Sequence, residues 1–283
     1  MLHFYKQIQG WSHYLTPFYH YIVPKLPDSC CVVEVGCWMG RSTACLAVEL
    51  IDSGKTFELT AVDHWLGTES DGWYYLGDPH VKELIESRRI VDIFRENLKP
   101  IIEHVNILEM SSVEAAAKFS DSSLDLVVLD DDHSYEGVKR SIRAWLPKIK
   151  PGGYLAGDDH DRHFAPLKQA LIEIFSTNYQ VVGTNEHLSD GSKDGVWLWQ
   201  KPESGWVMPQ IYLLSETEYH VPAPADPEYI KVEELVEPEI VAEPEQEIVT
   251  ESEQEIVTEP EPVKPSLQNP RHHNIIIKTA LPE

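Results

Sequence analysis

The sequence predicts an α/β protein: a Rossmann-like, seven-stranded, mostly parallel sheet with helices on both faces, followed by an acidic tail expected to be disordered. Three observations predict it. Cys30 to Val35 is a short, valine-rich run that turns through Gly36 and Gly40 into an apolar helix, as the first strand-turn-helix unit of such a sheet does. Asp63 then ends the next strand-like run, about 20 residues beyond that turn, where folds of this kind bind a ribose. Finally, the composition breaks near residue 215. Glu216 to Glu283 holds 17 acidic and four basic residues and 10 of the 20 prolines, so it carries −13 of the −24 net charge. These signals divide the chain into an aromatic N-terminal cap (1–27), a nucleotide-type domain (28–205) and a tail (206–283).

Taken in order, residues 1–27 are dense in rings: Phe4, Tyr5, Trp11, Tyr14, Phe18, Tyr19 and Tyr21. Such a segment packs as a cap with its polar ring tips wet, and a substrate lid is the functional alternative. After the turn Lys25–Asp28 and the first strand, Ser42 and Thr43 open the first sheet helix. Phe57 to Val62 is the second strand. His64 to Tyr75 reads as a glycine-punctuated loop, carrying two tryptophans, over a substrate or an adenine. Val81 to Leu98 reads as one amphipathic helix and Val105 to Leu108 as the third strand, with Ser111 and Ser112 capping a short helix, Val113 to Phe119. Leu124 to Leu129 is the fourth strand, Tyr135 to Leu146 a helix, and Lys150 to Gly153 a tight turn into the strand Tyr154 to Gly157. A helix from Ala165 to Phe175 and two runs, Tyr179 to Gly183 and Gly195 to Gln200, complete the sheet, the last two as an antiparallel hairpin in which Trp197 and Trp199 pack. In the tail, Glu237–Pro244, Glu245–Ser252 and Glu253–Pro260 repeat one octamer, whose acid and proline content prevents a packed core. Asn274 to Lys278 is β-prone and suited to pairing with a sheet edge.

Two stretches carry chemistry. In the glycine turn, Trp38 stands where a dinucleotide-binding turn needs its second glycine, and Glu34 precedes the turn. A ligand carrying a ribose and a cation, as S-adenosylmethionine (SAM) does, suits this lip better than a pyrophosphate. The second stretch is Asp130-Asp131-Asp132-His133, at the end of the fourth strand. The strand after it ends in Asp158-Asp159-His160-Asp161. Carboxylates gathered at one sheet edge are costly unless a cation sits among them, and oxygen ligands suit Mg²⁺; solvated surface acids are the plain alternative.

Composition narrows the partners. A net charge of −24 without a basic face excludes a nucleic-acid binder. No run of 18 apolar residues and no basic, cleavable leader are found, so neither a membrane span nor secretion is expected, and the cytoplasm is the expected location. Cys30, Cys31, Cys37 and Cys45 crowd into one βα unit and read as buried reduced thiols; their spacing lacks the paired knuckles of a zinc site. Association with a second copy and recruitment of a protein partner by the acidic tail stay open.

Together, V-V-E-V-G-C-W-M-G-R-S-T, V-D-H-W-L-G, L-V-V-L-D-D-D-H-S-Y-E, W-L-P-K-I-K-P-G-G and A-G-D-D resemble class I SAM-dependent methyltransferases, specifically the catechol O-methyltransferase-like and macrocin O-methyltransferase-like branch, over about residues 28–200. The resemblance implies Glu34, Gly36, Trp38, Gly40 and Ser42 around the methionine part of SAM, Asp63 on the ribose and Ser111 near the adenine. It implies Asp130, Asp158 and Asp159 as metal ligands. His133 and Asp130 are the expected catalytic residues, and the departure Asp131-Asp132-His133 leaves the base less securely placed. The implied reaction is methyl transfer from SAM to a hydroxyl of a small molecule or sugar, with Mg²⁺ assisting. Two alternatives come from other classes: a Rossmann oxidoreductase, disfavoured by the missing glycine, and an inactive SAM-fold module that binds partners through its tail.

Overall fold

A computed structural model describes residues 1–67, 79–160, 164–183, 194–204 and 228–231. The chain divides into two units, Met1–Val236 and Glu237–Glu283, and every described residue lies in the first. The expected loop from Thr68 to Tyr75, Asp161, most of the hairpin loop, the octamers and the Asn274–Lys278 run lie outside the described residues.

The strands are β1 (Ser29–Val35), β2 (Thr56–Asp63), β3 (Val105–Glu109), β4 (Leu124–Leu129), β5 (Ile149–His160), β6 (Gln180–Gly183), β7 (Gly195–Gln200) and β8 (Glu228–Lys231). They form one sheet in the order β3-β2-β1-β4-β5-β7-β6-β8. The pairs β1/β2, β2/β3, β1/β4 and β4/β5 are parallel, and β7 runs antiparallel to both β5 and β6. The seven expected strands are therefore present with the expected hairpin, and an eighth, from within residues 206–283, pairs parallel with β6 at the edge. Because the chain leaves β1 toward β2 and β3 and then returns to β4, the order reverses between β1 and β4. A crevice opens there, outside the carboxyl ends of the strands.

The helices are α1 (Leu15–Ile22), α2 (Arg41–Asp52), α3 (Pro79–Glu86), α4 (Ile90–Asn97), α5 (Ser112–Ala116), α6 (Tyr135–Trp145) and α7 (Ala165–Phe175). Strand residues alternate between two cores, as a sheet covered on both faces requires. Val32, Leu126 and Val128 pack with Leu15, Phe18 and Tyr19 of α1, Leu46 and Leu50 of α2, and Ile90 and Phe94 of α4. Val33, Val127 and Leu155 pack on the other side with Ile142 and Trp145 of α6 and Leu171 and Phe175 of α7. Trp197 and Trp199 belong to this second core, where the Trp199 ring stacks on Phe175 at 5.3 Å.

Two local expectations change. The single helix over 81–98 is two helices, α3 and α4, because Arg88 takes a left-handed conformation (φ 56°). The amide of Arg89 reaches back to the carbonyl of Leu84 (2.9 Å) and that of Arg88 to Ile85 (3.0 Å), a Schellman ending without its usual glycine. The turn expected at Lys150–Gly153 lies inside β5, where Gly152 (φ 77°) absorbs a register shift against β4.

Candidate active site

Strand ends build the crevice. The amide of Gly36 bonds the Val62 carbonyl (2.8 Å) and that of Asp130 the Val35 carbonyl (2.7 Å), so the ends of β1, β2 and β4 are tied together. The approach is so close that a Cβ on Gly36 (φ 87°) would sit 1.9 Å from the Asp130 carbonyl oxygen. Only glycine fits there. Gly40 (φ 91°) has a different reason: its missing side chain makes room for Leu98, whose Cδ1 would lie 2.2 Å from a Cβ.

Asp63 organises the turn between these glycines. Its Oδ2 accepts the amides of Cys37 (2.8 Å) and Trp38 (2.9 Å), and its Oδ1 the amide of Trp65 (2.6 Å). Burial pushes this carboxyl up, while the three backbone donors and nearby His64 pull it down. The Trp65 ring nitrogen donates to the Trp38 carbonyl (2.7 Å), and the Trp38 ring nitrogen to Gln9 Oε1 (2.7 Å). Arg41, at the start of α2, donates to Ser12 Oγ (3.2 Å) and the Ile8 carbonyl (3.2 Å). The aromatic N-terminal segment is thus bolted to the glycine turn.

These elements enclose a cavity of about 730 Å³. That lies within the range of small-molecule sites. Gly36, Trp38, Ser42, Asp63 and Ser111 line it, as do Asp130, His133, Asp158 and Asp159. Glu34 and Gly40 are not on its wall. Glu34 is fully buried beneath the turn, where it accepts the hydroxyls of Tyr19 (2.6 Å) and Thr43, and burial pushes its carboxyl up. Residues that sequence reasoning left out of the site also line it: Gly10, Trp11, His13 and Tyr14 from the N-terminal segment, then Arg41, Arg140 and Phe164. The only signal for the first four was the ring density of residues 1–27, which fits a cap equally well; these residues both cap the core and wall the site.

The three successive acids after β4 take three roles. Asp132 lies over the start of α6, where its Oδ1 accepts the Ser134 amide (3.0 Å) and its Oδ2 meets Arg140 (3.0 Å). Ser134 itself caps that helix by accepting the Gly137 amide (3.1 Å). Asp131 accepts the Ser141 hydroxyl (2.7 Å). Asp130 meets His133, whose Nε2 lies 3.3 Å from Asp130 Oδ1 and 3.1 Å from Asp159 Oδ2. The His133 ring packs on Phe164 at 4.7 Å. Asp159 reaches this point because β5 and β7 lose register between Gly157 and His160, and Asp159 itself is left-handed (φ 59°). Burial, with the charges of Asp159 and Glu34, pushes Asp130 up to about 7 against the pull of His133.

Among the described residues, the ligand atoms that gather within 4.8 Å of one another are those of Asp130, His133 and Asp159. The expected trio of Asp130, Asp158 and Asp159 is not gathered in this way; Asp158 lines the cavity but is buried. Ser111 opens α5 in a capping box, accepting the Glu114 amide (3.4 Å) while Glu114 accepts its backbone amide (3.2 Å).

Residues 33–160 match a family model described as a methyltransferase domain. The matched stretch runs from within β1 to the end of β5, so it includes the glycine turn and the strand ends that build the cavity. Among known proteins, the chain is 27% identical over 218 residues to the uncharacterized protein y4gI of Sinorhizobium fredii, a match that covers 76% of this chain. The match covers 22% of that relative's length. Among solved structures it is similar to the O-methyltransferase NovP (18% identity, 66% of this chain and 78% of that one, TM-score 0.44). It is also similar to a SAM-dependent O-methyltransferase from Thermotoga maritima (14% identity, 65% and 64%, TM-score 0.41). Among the described residues no helix is long and apolar enough to cross a membrane.

Proposed function

We propose that the domain transfers the methyl group of SAM to a hydroxyl oxygen of a small molecule or sugar. The observation that carries this reading is one cavity lined both by an Asp63-braced glycine turn and by the Asp130–His133–Asp159 cluster. Bound SAM supplies a methyl group on a sulfonium, which leaves as a neutral thioether. The chain's part is alignment, worth roughly 7–11 kcal/mol when two reactants are held in register. The backbone of Gly36 to Trp38 and the Ser42 hydroxyl face the methionine portion. Asp63 keeps one lone pair, on Oδ1, for a ribose hydroxyl beyond those spent on the three amides, and Ser111 with Met110 and Val113 flanks the adenine. The acceptor enters past Trp11, Tyr14 and Phe164. As its oxygen bonds the methyl carbon and the carbon–sulfur bond breaks, its proton passes to the Asp130 carboxylate, whose pKa burial raises while no cation is bound beside it.

The cluster's donors, two carboxylates and an imidazole, fit a divalent cation. Bound there, such an ion would hold the acceptor oxygen and lower its pKa. Assistance by a divalent cation, which the sequence reading expects to be Mg²⁺, belongs to this proposal.

Calorimetry of SAM binding to the full chain tests the reading. Asp63→Ala should weaken binding on the order of 1.5–3 kcal/mol, about 10- to 100-fold, through the loss of charge-assisted hydrogen bonds. Absence of SAM binding by the wild-type chain would sink the reading. Labelled SAM with sugar, catechol and polyketide hydroxyls then identifies the acceptor.

A further inference from the structure

We infer that His133 is a nitrogen ligand of the bound ion, so that the site selects a transition metal such as Mn²⁺, Fe²⁺ or Zn²⁺ over Mg²⁺. The inference deepens the methyl-transfer reading and rests on it for the acceptor's position. It starts from one nitrogen facing two oxygens, with His133 Nε2 lying 3.1 Å from Asp159 Oδ2 and 3.3 Å from Asp130 Oδ1.

A hydrogen bond accounts for only part of this geometry, the 3.3 Å contact to Asp130. One Nε2–H carries one proton and points at one acceptor. A charge-assisted N–H···O bond to a carboxylate runs about 2.7–2.9 Å. Both observed distances are longer, and the two acceptors share one donor.

Coordination accounts for both distances. Metal–oxygen and metal–nitrogen bonds of about 2.1–2.2 Å place neighbouring octahedral ligands about 3.0–3.1 Å apart. The two contacts match, or slightly exceed, the edges of such a shell. The third pair, Asp130 to Asp159, stays within 4.8 Å, as cis or trans positions allow. The site is also built to stay put. His133 is only 10% exposed in its side chain and is backed by Phe164, while the chain on either side of it is fixed by Asp131 on Ser141 and by the Ser134 cap. The cluster opens into the cavity that takes the acceptor.

Ligand chemistry then decides the metal. Mg²⁺ takes oxygen donors and gains little from an imidazole, whereas Mn²⁺, Fe²⁺ and Zn²⁺ accept one readily. With its nitrogen on the ion, His133 is a ligand and is no longer available as a base.

Mn²⁺ and Mg²⁺ are the probes, added to the full chain after EDTA stripping. Free Mn²⁺ is read by electron paramagnetic resonance, Mg²⁺ binding by calorimetry, and the ligands of bound Mn²⁺ by pulsed nitrogen-coupling spectra. We expect Mn²⁺ to bind at least about tenfold more tightly than Mg²⁺, with a histidine-type nitrogen coupling in the wild-type spectrum. In His133→Ala, Mn²⁺ affinity should drop about 10- to 100-fold, on the scale of lost ligand-shell interactions, while Mg²⁺ affinity changes less than about threefold. Bound Mn²⁺ without nitrogen coupling, equal affinities for the two ions, or no Mn²⁺ binding would each overturn the inference. The wild-type spectrum decides alone if His133→Ala fails to fold. SAM calorimetry on the same sample separates the two failures: SAM binding without Mn²⁺ binding sinks this inference and leaves methyl transfer standing, whereas no SAM binding sinks the methyl-transfer reading itself.

Discussion

Asp130→Asn should make the ion-free protein more stable above neutral pH while removing its activity. Burial is the main cause of the raised Asp130 pKa, followed by the opposing hydrogen bond of His133 and the repulsion of Asp159. The sign follows from linkage. A carboxyl whose folded pKa lies above its unfolded value contributes stability that is complete below about pH 4 and is lost as pH rises through about 7. Moving ionisation from about 3.9 to about 7 corresponds to about 4 kcal/mol, an upper bound because Asp130 keeps some contact with water. Asparagine mimics the uncharged form at every pH. Urea unfolding in EDTA, followed by tryptophan fluorescence from pH 4.5 to 8.5, should show wild type and variant within about 1 kcal/mol at the acid end. At pH 8 the variant should be ahead by roughly 2–4 kcal/mol. A saturating divalent cation should then stabilise the wild type alone, because it binds the charged form. A difference between the two proteins that stays flat across this range would show that Asp130 ionises as an ordinary carboxylate, and would remove the basis for its role as base.

Glu34→Gln should leave SAM affinity within about threefold by calorimetry, since Glu34 is off the cavity wall. Glu34→Ala should cost roughly 2–5 kcal/mol in urea unfolding by orphaning the Tyr19 and Thr43 hydroxyls. Three glycine-to-alanine changes should rank by what the new Cβ meets. Gly36→Ala strikes the Asp130 carbonyl and should prevent stable folding. Gly40→Ala strikes the movable Leu98 side chain and should cost roughly 2–4 kcal/mol, and Gly54→Ala, in open space, about 1–2 kcal/mol of backbone strain alone. Thermal melts of the three variants check the order, and a Gly54 variant as damaging as the Gly40 one would contradict it.

The parts legible in the sequence were those set by local pattern. Valine-rich runs gave β1 and β4, paired glycines gave the turn, and Ser111 with Ser112 gave a helix start. What escaped was set by distant partners. Nothing in Asp130-Asp131-Asp132 tells the three apart; Ser141 and Arg140, on the helix that follows, draw two of them away. Glu34 reads as a site acid until Tyr19, 15 residues earlier, supplies a buried hydroxyl. The neighbour of His133 escaped too, since it is the irregularity in β5 that brings Asp159 to it. Arg88 ends a helix in a conformation usually signalled by glycine. Strand β8 was hidden because Glu228-Tyr229-Ile230-Lys231 shares its acid-apolar-apolar pattern with the octamers, whose composition argues against a packed core.

The acids of the site bear on ligand choice as well as on chemistry. Asp63, Asp130 and Asp131 line the cavity and are all pushed up mainly by burial, so holding these mutually repelling charges there at neutral pH works against the fold. A ligand that brings positive charge into the cavity relieves that repulsion, and one that brings none does not. SAM carries a sulfonium, and its demethylated product does not. The cavity should therefore hold the reactant more firmly than the product, so that loss of the charge on transfer itself favours release. A divalent ion beside Asp130 would offset part of the same repulsion and weaken that preference. Substrate discrimination and ion binding thus draw on one electrostatic cost, set where β4 and β5 end.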